Sequence, residues 1–253
     1  MKALLLDVGN SRIKWGVLDE GAIRRTGNIA RERIVEQGLA ALTARLPRRV
    51  DTVLVSNVAG SSFATRLSGV IGMHCDVDVH FARSEREAFG IVNSYRQPRR
   101  LGVDRWVAMI GARAEFTAPC LIVDAGTAVT LDALDADGRH LGGQIIPGVR
   151  LMAASLASET SDIPVVQRSA PGSGESMDMF ANTTAGAVGQ GALNAVAGAV
   201  ERALRILCEQ GSDPEVVLTG GDASRILRSL HDAVHHRPHL VLQGLARILE
   251  DRQ

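Results

Sequence analysis

The chain has 253 residues, 45% hydrophobic and 22% charged, and its 28 basic and 28 acidic side chains leave no formal net charge. That is enough apolar material for one large packed domain or two smaller ones, and the balanced charge argues against a surface built for nucleic acid or membrane headgroups. Three cysteines, far apart and without a Cys-x-x-Cys pair, fit reduced thiols in a cytoplasmic protein better than disulfides or a zinc site.

In chain order, residues 2–7 form a buried strand, 13–18 alternate as a second, and a third follows the turn at Gly21, giving an antiparallel meander. The N-terminus enters this strand at once, so no leader peptide is expected, and no apolar run approaches the ~20 residues of a membrane span. An amphipathic helix is predicted over 31–46, with Ile34, Leu39, Leu42 and Leu46 on one stripe. A buried strand at 52–56 and a helix at 62–71 come next, and Val103 to Ile110 read as a further helix. The second half repeats the order: strands at 120–123 and 129–131, a turn at Gly138, a third strand ending near Ile146, helices at 148–158 and 178–209, and a strand at 215–219. Residues 164–176, rich in Pro, Gly and Ser, read as a loop. Meanders followed by alternating strands and helices imply two mixed sheets flanked by helices, with a cleft between the halves as the natural ligand site. The division falls at 1–116 and 117–253.

One phrase occurs twice. Leu4-Leu5-Leu6-Asp7-Val8-Gly9-Asn10-Ser11 returns as Leu121-Ile122-Val123-Asp124-Ala125-Gly126-Thr127-Ala128, and Asp7 and Asp124 stand 117 residues apart. Alone, Asp-x-Gly after a strand is an ordinary turn. Repeated in register together with its polar residues, it favours a shared ligand: two facing turns that clamp a nucleoside triphosphate. Asp7 is placed to coordinate Mg²⁺ directly or through water, and Asn10, Ser11, Lys14 and Thr127 to reach phosphate oxygens. The chain has no Gly-x-x-x-x-Gly-Lys-Ser/Thr and no strand leading into Gly-x-Gly-x-x-Gly, so P-loop and dinucleotide folds are excluded. A third glycine turn, Thr219-Gly220-Gly221-Asp222, offers bare backbone against which an adenine or ribose can lie.

The acceptor side is suggested by residues 95–106, which hold the only tyrosine, Tyr95, and the pair Asp104-Arg105 at the start of a helix. Two readings of that pair stand side by side. In one, Asp104 is a helix N-terminal carboxylate favoured by the dipole and Arg105 a solvent or ion-pair residue. In the other, Asp104 takes the proton of a substrate hydroxyl while the planar fork of Arg105 binds a carboxylate. His231, His235, His236 and His239 lack the partners of a metal motif and read as a surface cluster.

Six segments together resemble the type III pantothenate kinases, of the acetate/sugar kinase, Hsp70 and actin superfamily: residues 7–14, 95–106, 124–132, 142–148, 184–191 and 219–222. The resemblance implies two RNase H-like (actin-like ATPase) halves and ATP-dependent phosphorylation of pantothenate, the first step towards coenzyme A. It implies Asp104 as the proton acceptor, with Tyr95, Gly102, Val103, Asp104, Arg105 and Thr184 around pantothenate. It places Asp7, Val8, Gly9, Asn10, Ser11, Arg12, Ile13, Lys14 and Thr127 on ATP, and a monovalent cation, K⁺ or NH₄⁺, on Asp124. Thr184 is preferred to Thr183 because Thr184-x-x-Ala187-Val188-x-x-Gly191 gives the better spacing. A homodimer is implied, with no membrane or direct nucleic-acid partner. The rival readings are a sugar or acetate kinase of the same superfamily, and a non-enzymatic accessory factor in transcriptional activation, the role implied by relatives named Bvg accessory factor.

Overall fold

The structure is a computed structural model that describes residues 1–163, 179–230 and 233–251. The chain divides into two compact units: Met1–Thr117 with Asp137–His140 and His239–Gln253, and Ala118–Ala136 with Leu141–Pro238.

The first unit is built on β1 (Lys2–Val8), β2 (Arg12–Asp19), β3 (Ala22–Ala30), β4 (Thr52–Asn57) and β5 (Val79–Phe81), in the order β3-β2-β1-β4-β5. β1 pairs antiparallel with β2 and parallel with β4, so the sheet is mixed. Helices α1 (Arg31–Gln37), α2 (Ala40–Thr43) and α3 (Ser61–Cys75) follow the meander and β4, and a two-stranded ribbon, β6 (Glu87–Ala88) and β7 (Ile91–Val92), precedes α4 (Val103–Glu115). Alternate residues of β1 serve opposite faces. Leu4, Leu6 and Val8 join a core with Phe63, Leu67 and Ile71 of α3. Leu5 is also fully buried, and α4 and the helix formed by residues 240–250 pack against the strands as well. Burial on both faces is why the strand reads as an unbroken apolar run.

The helix predicted over 31–46 is two helices. Gly38 takes φ +71 and its N–H donates to the Ile34 carbonyl, ending α1 in a conformation that costs glycine little. The predicted stripe nevertheless faces the core through Ile34, Leu42 and Leu46, with Leu39 packed beside them.

The second unit repeats the plan with β8 (Cys120–Ala125), β9 (Ala128–Leu134), β10 (His140–Pro147), β11 (Glu215–Thr219) and β12 (Val234–His236), in the order β10-β9-β8-β11-β12. β8 is antiparallel to β9 and parallel to β11. Helices α5 (Val149–Glu159), α6 (Thr184–Glu209) and the short α7 (Ala223–Ile226) flank this sheet, and α8 is Leu240–Glu250. The helix predicted from 178 starts six residues later, because the Thr183 hydroxyl accepts the Gly186 N–H as an N-cap. The loop predicted at 164–176 lies outside the described residues. No described helix is long and apolar enough to cross a membrane.

Candidate active site

The Asp7 turn is a tight one at the end of the central strand. Asp7 is 9% exposed and stands beside Lys14 in the β1–β2 register and beside Ser56 in the β1–β4 register. The Gly9 N–H donates to the Arg12 carbonyl at 3.0 Å, closing the hairpin, whose tip leaves Asn10 and Arg12 exposed and Ser11 and Lys14 half-buried. Two bonds tie the hairpin to the start of α1: the Arg31 N–H donates to the Ser11 carbonyl at 2.9 Å, and the Arg31 guanidinium to the Gly9 carbonyl at 3.5 Å. That guanidinium also sits 4.3 Å from the Phe63 ring centroid. Arg31 was not legible as a site residue, since an exposed-looking arginine at a helix start carries no signal of its own.

The acceptor run is more heavily braced than its sequence suggests. Asn93 is 1% exposed, and its amide donates to the carbonyls of Glu85 and Pro98 at 3.0 and 3.2 Å while accepting the Tyr95 N–H at 3.0 Å. The Arg86 guanidinium donates to the carbonyls of Asn93, Tyr95 and Arg96. Ser84, also buried, donates to the Leu101 carbonyl at 2.9 Å. A loop with no ladder must find partners for its backbone elsewhere, and these three side chains supply them. Asn93→Ala is expected to remove the side-chain partner of three part-buried backbone groups and cost about 2 kcal/mol. A lower denaturant midpoint at unchanged slope would show it.

On this braced run the predicted acceptor residues come together. Arg105, 6% exposed in the first turn of α4, donates from Nη1 to the Tyr95 hydroxyl at 2.8 Å, and its guanidinium carbon lies 5.7 Å from that ring's centroid. Asp104 is half-buried beside it, with Oδ1 accepting the Arg105 N–H at 2.8 Å. Gly102 caps the helix and lies so close to Asp104 that an added Cβ would stand 2.7 Å from Oδ1. Val103, half-buried, opens the helix.

In the second unit three turns converge on the end of β8. Asp124 is half-buried, Thr127 exposed, and the Gly126 N–H donates to the Ala128 carbonyl at 3.1 Å, matching the Gly9 bond of the first unit. The Gly148 N–H donates to the Thr127 carbonyl at 2.9 Å and the Asp222 N–H to the Ala125 carbonyl at 3.0 Å. Gly220 has φ +100 and lies so close to Ala125 that a Cβ would come within 2.4 Å of its backbone. Gly221 is exposed. Thr184 is the exposed first residue of α6, while the Thr183 hydroxyl is engaged as the cap.

The donors around the two aspartates suit hard cations. Ser56 and Thr219, level with Asp7 and Asp124 in the two sheets, are 0% and 1% exposed, and their hydroxyl oxygens have no hydrogen-bond partner among the described residues. Each neighbourhood therefore offers a carboxylate and a hydroxyl oxygen. No group of three or more His, Cys, Asp or Glu gathers among the described residues, and a magnesium ion held by one carboxylate plus substrate phosphates does not require one. The histidines go elsewhere: His235 pairs with Glu215 at 2.7 Å on the second sheet, and His239 lies 3.4 Å from Thr26 in the first unit. Burial and nearby Lys14 hold the His239 pKa below its ordinary value. His231 is outside the described residues.

Comparison with known proteins gives the same family from independent directions. The family model described as type III pantothenate kinase matches residues 3–205. A type III pantothenate kinase of Azoarcus sp. strain BH72 is 42% identical over 245 residues, which span 97% of this chain and 89% of that protein. Among solved structures, a Campylobacter jejuni protein assigned to the Baf family of transcriptional activators superposes with a TM-score of 0.63 at 20% identity, covering 98% of each chain. A ROK family glucokinase from Streptomyces griseus gives 0.52 at 14% identity, over 98% of this chain and 99% of its own. At those identities the structural likenesses speak for the fold, two mixed sheets of the actin-like ATPase type. The family match and the level of identity to the Azoarcus enzyme go further: the chain belongs to the type III pantothenate kinase family.

Proposed function

We propose that this protein transfers the γ-phosphoryl group of ATP to the primary hydroxyl of pantothenate, giving 4'-phosphopantothenate for coenzyme A synthesis, with Asp104 as the proton acceptor. The observation that carries the reading is the Tyr95–Arg105–Asp104 cluster on a braced loop, in a chain of this family. A sugar or acetate kinase of the superfamily would share both Asp-x-Gly turns, so the acceptor run decides between them.

Phosphoryl transfer has a loose transition state, and the protein's task is to position groups and stabilise charge. On this reading the Arg105 guanidinium receives the acceptor's carboxylate, steadied by the Tyr95 hydroxyl. Gly102 and Val103 line the rest of the acceptor, and Asp104 orients its hydroxyl. As the new O–P bond forms and the bond between the β and γ phosphates breaks, the hydroxyl proton passes to the Asp104 carboxylate and ADP leaves. In the first unit the hairpin 7–14 offers groups for the nucleotide; in the second, Thr127, Gly220 and Gly221 do. Asp7, through water, would hold Mg²⁺, and Asp124 with its oxygen neighbours a K⁺ or NH₄⁺. Bound there, these cations supply charge neutralisation for the triphosphate. The hairpin and acceptor run belong to residues 1–116 and the remaining groups to 117–253.

On this reading the reaction takes place in the cytoplasm, where thiols such as those of buried Cys75 and Cys120 stay reduced. A homodimer is supported by apolar side chains that the second unit exposes, among them Ile145 at 64%, Met179 at 62% and Phe180 at 86%. Sedimentation should give twice the chain mass, and a monomer at micromolar concentration would contradict this. The test of function is ADP release with pantothenate, glucose or acetate as acceptor, each with and without K⁺. Turnover with pantothenate alone, rising with K⁺, is expected. Turnover with a sugar but not pantothenate would overturn the reading.

A further inference from the structure

Behind the acceptor run lies a side chain that none of the roles above uses. His140 opens β10 but belongs to the first unit and is 2% exposed. Its backbone neighbourhood is fixed: the Val92 N–H donates to the Gly138 carbonyl at 3.0 Å, and Val92 and Arg139 form a parallel bridge. From this position the imidazole stacks on Tyr95, with ring centroids 6.0 Å apart and planes inclined by 15°. Ser94 Oγ lies 3.3 Å from His140 Nδ1. The separation is within the range of attractive offset stacking between rings.

The stack completes a chain of contacts. A tyrosine ring has two rotatable bonds, so a hydrogen bond at its oxygen alone leaves the ring plane free to swing. The bond from Arg105 to the Tyr95 hydroxyl fixes the oxygen. The imidazole fixes the plane. We propose that His140 is a positioning residue for the acceptor: it holds the Tyr95 ring and, through the phenol oxygen, the Arg105 guanidinium in the orientation that receives pantothenate's carboxylate. The inference rests on the acceptor site proposed above. An aromatic ring is what the role needs, so phenylalanine is a competent substitute and an aliphatic residue of similar volume is not.

Because Tyr95 is the only tyrosine, protein labelled with ¹³C in the tyrosine ring gives signals from this one residue. In the wild type these signals should move on addition of pantothenate. In His140→Leu they should already be displaced without ligand, and the pantothenate KM should rise about 3- to 10-fold, the scale of one ring stack, with the ATP KM within about 2-fold. His140→Phe should restore both. If His140→Leu does not fold, His140→Gln, which keeps a polar group for Ser94 but no ring, carries the same expectation. Wild-type signals that respond to pantothenate, together with unchanged signals and KM in the aliphatic or amide variant, would overturn the role of His140 alone. So would equal losses for ATP and pantothenate, which would mark a merely structural residue. Wild-type signals indifferent to saturating pantothenate would instead remove the acceptor site on which the inference rests.

Discussion

Asp104→Asn is expected to lower kcat for pantothenate-dependent ADP release by about 10²–10⁴-fold, the usual cost of losing a positioned general base, while ATP binding stays within about 2-fold. A carboxylate with a solution pKa of about 4 is a weak base towards an alcohol in the ground state. Its contribution lies in orienting the hydroxyl and taking the proton late, as the phosphoryl group is already being transferred. Asparagine keeps the size of the side chain and an oxygen for the Arg105 N–H, which now donates to Asp104 Oδ1 at 2.8 Å. It cannot take the proton. The helix start should therefore stand, and the defect should sit in kcat rather than in either KM. Near-normal turnover would show that Asp104 is only a helix N-terminal carboxylate, the alternative its sequence position allows.

Gly220→Ala should destabilise the second unit strongly. The residue has φ +100, a region in which a side chain is strained, and the new Cβ would lie 2.4 Å from the backbone of Ala125. Left-handed strain costs roughly 1–2 kcal/mol and overpacking typically 1–3 kcal/mol, so a loss of about 3 kcal/mol is expected. For a chain of this size that is a fall in Tm of about 10 °C. Gly221→Ala is the control, since a Cβ there meets nothing within 4 Å, and its Tm should stay close to the wild-type value. Equal Tm values for the two variants would mean that the glycine turn is not packed on the Asp124 strand end as described.

The repeat was legible because it is written in residues that each unit needs separately: an apolar strand, a carboxylate at its end, and a glycine whose N–H closes the turn, at Gly9 and again at Gly126. The antiparallel meander that opens each sheet was legible from its polar turns at Gly21 and Gly138. Other features depend on partners far away in the chain. Asn93, Arg86 and Ser84 are polar residues in a loop, and only the fold reveals the unpaired carbonyls they serve. Gly38 inside a well-formed stripe reads as a tolerated glycine until its φ of +71 splits the helix. Residues 240–250 form a strongly apolar helix, yet nothing in their pattern says that they pack on α4 and the strands of the first unit. His140 follows the turn at Gly138, and its stacking on Tyr95, 45 residues earlier, has no local signature.

The most direct measurement is mass analysis of pantothenate after incubation with the protein, ATP, Mg²⁺ and K⁺, with fragmentation to locate any added phosphoryl group. One phosphoryl group on the primary hydroxyl, formed in step with ADP, is the result expected here. Unmodified pantothenate in the presence of protein that binds ATP would contradict the central claim.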